Sequence, residues 1–258
     1  MSEIRSGVLL DIDGVLYVGD DPIEGAHDAL EELRGLGAVR LLTNTTSRSR
    51  RNVVEHLQEL GFNVSEEEVL TPAAMAVRHC EEHGYHSVRL LVSERLREDL
   101  ADLEGRSGDR PNAIILGDLG EGFTPEVLNS AFRDLMDGAQ LLALQHNRYW
   151  RRADGLALDV GAYSAALEYA SAREAIVLGK PAPEFFRSAM EDLGITHAVM
   201  VGDDAEADVG GAMAAGLPGI LVRTGKYRAD ALTSRIMPTA IVDSIVDVPG
   251  LLARMPPV

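Results

Sequence analysis

Apolar residues in this chain fall into two rhythms. Short unbroken runs, "GVLLDI" (7–12), "VRLLTN" (39–44), "AIVLGK" (175–180), "AVMVGD" (198–203) and "GILVRT" (219–224), read as strands buried on both faces. That is the pattern of a parallel sheet covered by helices. Between them, "GAHDALEELRGLG" (25–37), "SRRNVVEHLQELG" (49–61), "APEFFRSAMEDLG" (182–194) and "AEADVGGAMAAG" (205–216) place apolar residues at helical spacing, and each ends at a glycine suited to closing a helix. The alternation predicts a doubly wound α/β layer.

The middle of the chain repeats the theme. "SVRLLVS" (87–93), "NAIILGD" (112–118) and "AQLLALQ" (139–145) are further strand candidates, and "TPEVLNSAFRDLMDG" (124–138) and "AYSAALEYASA" (162–172) further helices. The expectation is a discontinuous core of residues 1–75 and 176–258, with a second α/β unit, 76–175, inserted between the second and third core strands. At 258 residues the chain is long enough for that arrangement.

Charge narrows the partners. With 41 acidic against 24 basic residues the net charge is −17, which argues against nucleic acid and anionic membrane, since both need a clustered positive field. Lysine occurs only at 180 and 226, so each is of interest. A single cysteine, Cys80, fits a reducing compartment. The first residues lack an apolar secretory core, and no run reaches the roughly 18 apolar residues of a spanning helix. The expected location is cytoplasmic.

Polar residues gather where the core strands end: Asp11 and Asp13, Thr43 and Asn44, Lys180, then Asp203, Asp204 and Asp208. In an open parallel sheet the crevice beyond the carboxyl ends of the strands binds ligands. Several carboxylates meeting there repel one another unless a cation neutralises them. An oxygen-only donor set favours a hard ion, with Mg²⁺ the best fit because it keeps positions for water and phosphate. Lysine beside the cluster suits an anionic substrate. One carboxylate can attack phosphorus, and its neighbour two residues on, sharing its face if the strand stays extended, can exchange protons with leaving group and water.

"DIDGVL", "LLTNT", "GKP" and "VGDDAEADVGGA" resemble, in order, the four motifs of the haloacid dehalogenase (HAD) superfamily of phosphatases. The insertion between the second and third motifs resembles the NagD-like subclass with a type IIA α/β cap. "RYWRRADGLALDVGAYSAALEYAS", "GKPAPEFFRSAM" and "GILVRTGKYR" are similar to the branch of phospholysine phosphohistidine inorganic pyrophosphate phosphatases and related HAD-domain proteins.

The resemblance implies a Rossmann-like core with Asp11 as nucleophile and Asp13 as general acid and base. It implies Mg²⁺ held by Asp11, the Asp13 carbonyl and Asp203, with Asp208 bonded to the water shell. Thr43, Asn44 and Lys180 would bind the phosphoryl group, and Lys180 would also stabilise the nucleophile; Asp204 receives no firm role. Dehalogenases lack the second acid and ATP-driven pumps carry Thr there, so Asp13 implies a competent hydrolase, and a cap covering the site implies small phosphorylated metabolites as its substrates. A pyrophosphatase or phosphoamidase is the alternative, and a silent binding protein of the same fold a more distant one. Type IIA members often pair through their caps, so a homodimer is admitted.

Three segments of the insertion carry other expectations. "RYWRR" (148–152), with Arg148 and Tyr149, reads equally as a contact to the leaving group or as cap surface and dimer interface. "LDVGAY" (158–163) reads as a loop closing over the site, with Asp159 facing it and Gly161 letting backbone approach the ligand, the plainer reading being a strand-to-helix turn. "HCEEHGYH" (79–86) places two histidines four apart but lacks further partners at zinc spacing and reads as a solvated helix end.

Overall fold

The computed structural model describes residues 6–104, 110–152, 155–232 and 235–254. In chain order it contains β1 (Ser6–Asp11), β2 (Tyr17–Val18), β3 (Asp21–Pro22), α1 (Ala26–Leu36), β4 (Ala38–Leu42), α2 (Arg50–Glu59), β5 (Val69–Leu70), α3 (Pro72–His83) and β6 (Val88–Leu91). There follow β7 (Ala113–Leu116), α4 (Pro125–Met136), β8 (Gln140–Ala143), β9 (Tyr149–Arg152), β10 (Gly155–Leu158), α5 (Val160–Ser171) and β11 (Ile176–Val177). Last come α6 (Pro183–Leu193), β12 (His197–Gly202), α7 (Gly211–Ala214), β13 (Gly219–Val222), β14 (Ala240–Val242) and α8 (Asp247–Leu252).

The chain divides into two compact units, one of Met1–Thr43, Val53–Leu70 and Lys180–Val258, the other of Asn44–Asn52 and Thr71–Gly179. The first is built on a six-stranded sheet in the order β14-β13-β12-β1-β4-β5, every pair parallel. Its strands β1, β12 and β13 are buried on both faces because alternate side chains feed two apolar layers. Ile220 and Val222 join Val8, Leu10, Leu41 and Val201 in one cluster with Leu30, Leu33, Val54, Leu57 and Val248 of the helices, while Leu221 turns the other way onto Ala205 and Val209. Phe185 and Phe186 of α6 are fully buried, and truncation of such a side chain costs about 3–5 kcal/mol.

The second unit has its own parallel sheet, β11-β8-β7-β6, with Ile114, Leu116 and Leu141 packed among Ala131, Leu135, Val160 and Leu167. Pro125 opens α4 and the Thr124 hydroxyl accepts from the Val127 N–H at 3.3 Å, a standard N-terminal cap. β9 and β10 form an antiparallel hairpin.

Two sequence expectations are corrected here. "AIVLGK" is not a core strand: only Ile176 and Val177 are extended, and they pair with β8 in the second unit's sheet, short and part-exposed because they form its edge. The stretch 205–216 is not one α-helix. It opens as a π-helical turn over Ala205–Gly210 and only then becomes α7, the wide turn accompanying an Asp208 carboxylate that folds back to accept from the Asp204 N–H at 3.0 Å. Among the described residues no helix is long and apolar enough to cross a membrane.

Candidate active site

Within the first unit, β1 lies between β12 and β4, and the connections run outward from it on both sides, β4 to β5 one way and β12 to β14 the other. That reversal marks a switch point, where a crevice opens beyond the carboxyl ends of the strands. Asp11 is the last residue of β1, Thr43 the first after β4, and Asp203 the first after β12. Parallel register with Leu10 opposite Val201 brings the first and last of these side by side.

One carboxylate oxygen each from Asp11, Asp203 and Asp208 lies within 4.8 Å of the others, and Asp11, Asp203, Asp208 and Lys180 are between 0 and 6 % exposed. Lys180 Nζ lies 2.5 Å from Asp11 Oδ1 and 2.7 Å from Asp208 Oδ1. One ammonium thus faces three buried carboxylates. Burial, then the charges of Asp208 and Asp203, drive the Asp11 carboxyl well above its usual range against the pull of Lys180. Burial and Asp208 likewise push Asp203 up to about 6. For Lys180 burial disfavours the charge, but Asp11 and Asp208 overcome it and hold the ammonium protonated.

The Asp203 carboxylate is gripped on one side only. Its Oδ2 accepts the Lys226 N–H at 2.6 Å, whereas Oδ1 is buried with no hydrogen-bond partner among the described residues. A buried, unpaired carboxylate oxygen beside two further carboxylates is costly in a bare protein and suits an oxygen-coordinated divalent cation. The residues present therefore fit such an ion. Glycine lets them close in: a Cβ on Gly14 (φ +86) would stand 1.9 Å from Asp203 Oδ2, and one on Gly225 (φ +58) 2.0 Å from the same atom. The Thr224 hydroxyl donates to the Gly14 carbonyl and ties the two glycine turns together.

The other expected site residues are distributed as follows. Asp13 is exposed, two residues beyond buried Asp11 and one beyond fully buried Ile12. Thr43 is buried, with its N–H on the Leu70 carbonyl at 3.2 Å; neither it nor Asn44 opens α2, since Ser49 Oγ accepts from the Asn52 N–H at 3.3 Å. Asn44 belongs to the second unit. Asp204 gains a definite role: its Oδ1 accepts from the N–H groups of Glu206 and Ala207 at 2.9 and 3.0 Å and so opens the π-helical turn that carries Asp208.

In the second unit Asp159 caps α5, accepting from the Val160 N–H at 2.8 Å, and is bonded by the Gln145 amide. Gly161 is required by the chain itself, because a Cβ there would lie 2.5 Å from the His146 carbonyl oxygen. The segment 158–163 runs from the end of β10 into the first turn of α5, with Asp159 as the helix cap. Arg148 and Tyr149 are exposed, with the guanidinium carbon 6.0 Å from the ring centre; the side chains of Trp150, Arg151 and Arg152 lie outside the described residues. His79 and His83 stack at 4.0 Å. Among the described residues the three aspartates are the group able to hold a metal. Gly14, Thr224, Gly225 and the Lys226 amide escaped the sequence reading; their signals were the glycine that closes "DIDG" and the "TGK" that follows an apolar strand.

Family comparisons agree with this geometry. A family of haloacid dehalogenase-like hydrolases matches residues 8–105 and a HAD-hydrolase-like family residues 177–248. Human haloacid dehalogenase-like hydrolase domain-containing protein 2 is 44% identical over 225 residues, covering 86% of this chain and 85% of its own. The rat phospholysine phosphohistidine inorganic pyrophosphate phosphatase is 41% identical over 264 residues, covering 98% and 96%. The glycerol phosphate phosphatase of Mycobacterium tuberculosis, solved with magnesium, superposes with a TM-score of 0.84 at 30% identity, covering 99% of this chain and 80% of that one. The chain belongs to the haloacid dehalogenase-like hydrolases. Within that superfamily it is an enzyme of the phosphatase class, with the Rossmann-like fold its motifs implied.

Proposed function

We propose that the protein is a Mg²⁺-dependent phosphatase that hydrolyses a small phosphorylated metabolite through a phosphoryl group carried on Asp11. The observation that carries the reading is the three buried carboxylates around Lys180, with one Asp203 oxygen left without a partner. Asp11, Asp203 and the Asp13 carbonyl would hold the ion, with Asp208 bonded to its water shell. Bound there, Mg²⁺ supplies positive charge that offsets the carboxylates and the transferring phosphoryl oxygens.

The Asp11 carboxylate attacks phosphorus in line while the bond to the leaving oxygen breaks, and Asp13, exposed two residues on, gives that oxygen a proton. Asp13 then removes a proton from water, which attacks phosphorus, releases inorganic phosphate and restores Asp11. Lys180, 2.5 Å from Asp11 Oδ1, orients the nucleophile and opposes its protonation. Thr43 and Asn44 bind the phosphoryl oxygens, and the inserted unit, expected at 76–175, is the cap.

A second reading, hydrolysis of pyrophosphate or phosphoamides, is supported by the 41% identity to the rat enzyme across 98% of this chain. Phosphate release from p-nitrophenyl phosphate, sugar phosphates, phosphoglycolate, nucleotide monophosphates, pyrophosphate and phospholysine, with and without Mg²⁺, separates the readings. The proposal expects Mg²⁺-dependent turnover of phosphate monoesters, lost on Asp13→Asn by about 10²-fold or more. Turnover of pyrophosphate or phospholysine far above every monoester would replace it with the second reading. No turnover of any compound would leave a binding protein.

A further inference from the structure

Of the two lysines in this chain, Lys180 is committed: it is buried and its ammonium is divided between Asp11 and Asp208. Lys226 is placed differently. It sits in the loop after β13, where its backbone N–H grips Asp203 Oδ2 at 2.6 Å and the preceding Gly225 packs on Gly14 closely enough that a Cβ would meet the Gly14 Cα at 2.6 Å. The backbone is therefore locked to the crevice at both the β1 and β12 ends. The Lys226 side chain is exposed. Among the described residues it forms no ion pair within 4.0 Å, whereas the neighbouring Arg223 and Arg228 are engaged by Asp243 and Asp230.

A cation held at a catalytic rim with no ion pair among the described residues is available to an anion that arrives with the substrate. The transferred phosphoryl group already has Lys180 and the ion site assigned to it under the function proposed above, on which this inference rests. We infer that Lys226 is a specificity residue that binds a second anionic group of the substrate, a phosphate or carboxylate on the leaving-group side. The protein would accordingly favour phosphorylated compounds whose leaving group is itself charged. The amide contact to Asp203 is a backbone one, so replacing the side chain leaves it in place.

The test compares the wild-type protein, Lys226→Met and Lys226→Arg under saturating Mg²⁺ on p-nitrophenyl phosphate, phosphoglycolate and pyrophosphate. The readout is the ratio of kcat/KM for each doubly anionic compound to that for p-nitrophenyl phosphate, or of Ki where a compound only competes. A lost charge-assisted contact predicts that Lys226→Met lowers this ratio roughly 10- to 100-fold, chiefly through KM or Ki, and that Lys226→Arg recovers most of it. A fall confined to pyrophosphate identifies the second group as phosphate, and one confined to phosphoglycolate as carboxylate. Ratios unchanged in Lys226→Met overturn the inference, as does a wild-type protein that hydrolyses p-nitrophenyl phosphate but neither cleaves nor is inhibited by the other two. Failure to turn over p-nitrophenyl phosphate at all would instead remove the phosphatase reading beneath it.

Discussion

Replacing Asp203 by Asn should make the metal-free protein more stable while destroying its response to Mg²⁺. Asp203 is 1 % exposed, its Oδ1 has no partner, and burial together with Asp208 pushes its carboxyl from 3.8 up to about 6. The folded protein thus binds a proton more readily than the unfolded chain. The destabilising charge is fully present above about pH 6 and is relieved as the pH falls toward 4. A displacement of about 2 units corresponds to about 3 kcal/mol, an upper bound on what neutralisation at pH 8 can return. Asn keeps an oxygen for the Lys226 N–H and presents a donor where the orphaned oxygen stood, so the shape of the site is retained. Urea unfolding at pH 8 in chelator should place Asp203→Asn above the wild type by up to about 3 kcal/mol. With Mg²⁺ at roughly 100 times its Kd the wild type should gain about 2.7 kcal/mol and the variant little, reversing or closing the gap. A variant weaker than the wild type in chelator and equally strengthened by Mg²⁺ would refute the reasoning.

Other substitutions probe the same cluster and one distant group. Lys180→Met removes the ammonium bonded to both Asp11 and Asp208 and should cost about 3–5 kcal/mol in chelator by denaturant titration, with phosphate release abolished. Gly202→Ala would put a Cβ 2.2 Å from Asp208 Oδ2 and 2.4 Å from Asp208 Cβ; the protein should fold, by circular dichroism, but lose on the order of 10²-fold in turnover as Asp208 is displaced. Burial, and then the charge of His83, lower the affinity of His79 for a proton. Below the unfolded value of about 6.5 the unfolded chain then takes up the proton first, so stability should fall with acidification, and urea midpoints at about pH 7 and 5.5 should differ less in His79→Gln.

Much of this was legible in the sequence because the chemistry sits where secondary structure is most regular. The unbroken apolar runs that end in Asp11, Thr43 and Asp203 fixed those residues to strand ends, and a parallel sheet allows only one edge for them to share. "AIVLGK" misled because an apolar run carries no information about which sheet it joins, and β11 pairs with β8 instead. β5 and β14, two and three residues long, are too short to show periodicity. The Asp203 cradle was hidden for another reason: Gly14, Gly225 and the Lys226 amide act through backbone approach, which leaves no side-chain signature. Asp159 caps α5, a structural role that its place in the sequence did not announce.

The central claim, a phosphoryl group carried on Asp11, is tested most directly by catching it. The protein is mixed with substrate and Mg²⁺, quenched in acid during turnover, reduced with borohydride and digested, and the peptide bearing residues 7–17 is weighed and sequenced by mass spectrometry. An aspartyl phosphate is reduced to homoserine, so the account predicts homoserine at position 11 in protein quenched with substrate and aspartate there in protein quenched without it. Homoserine at position 13 or 203 instead, or unmodified Asp11 in protein quenched while turning over, would contradict it.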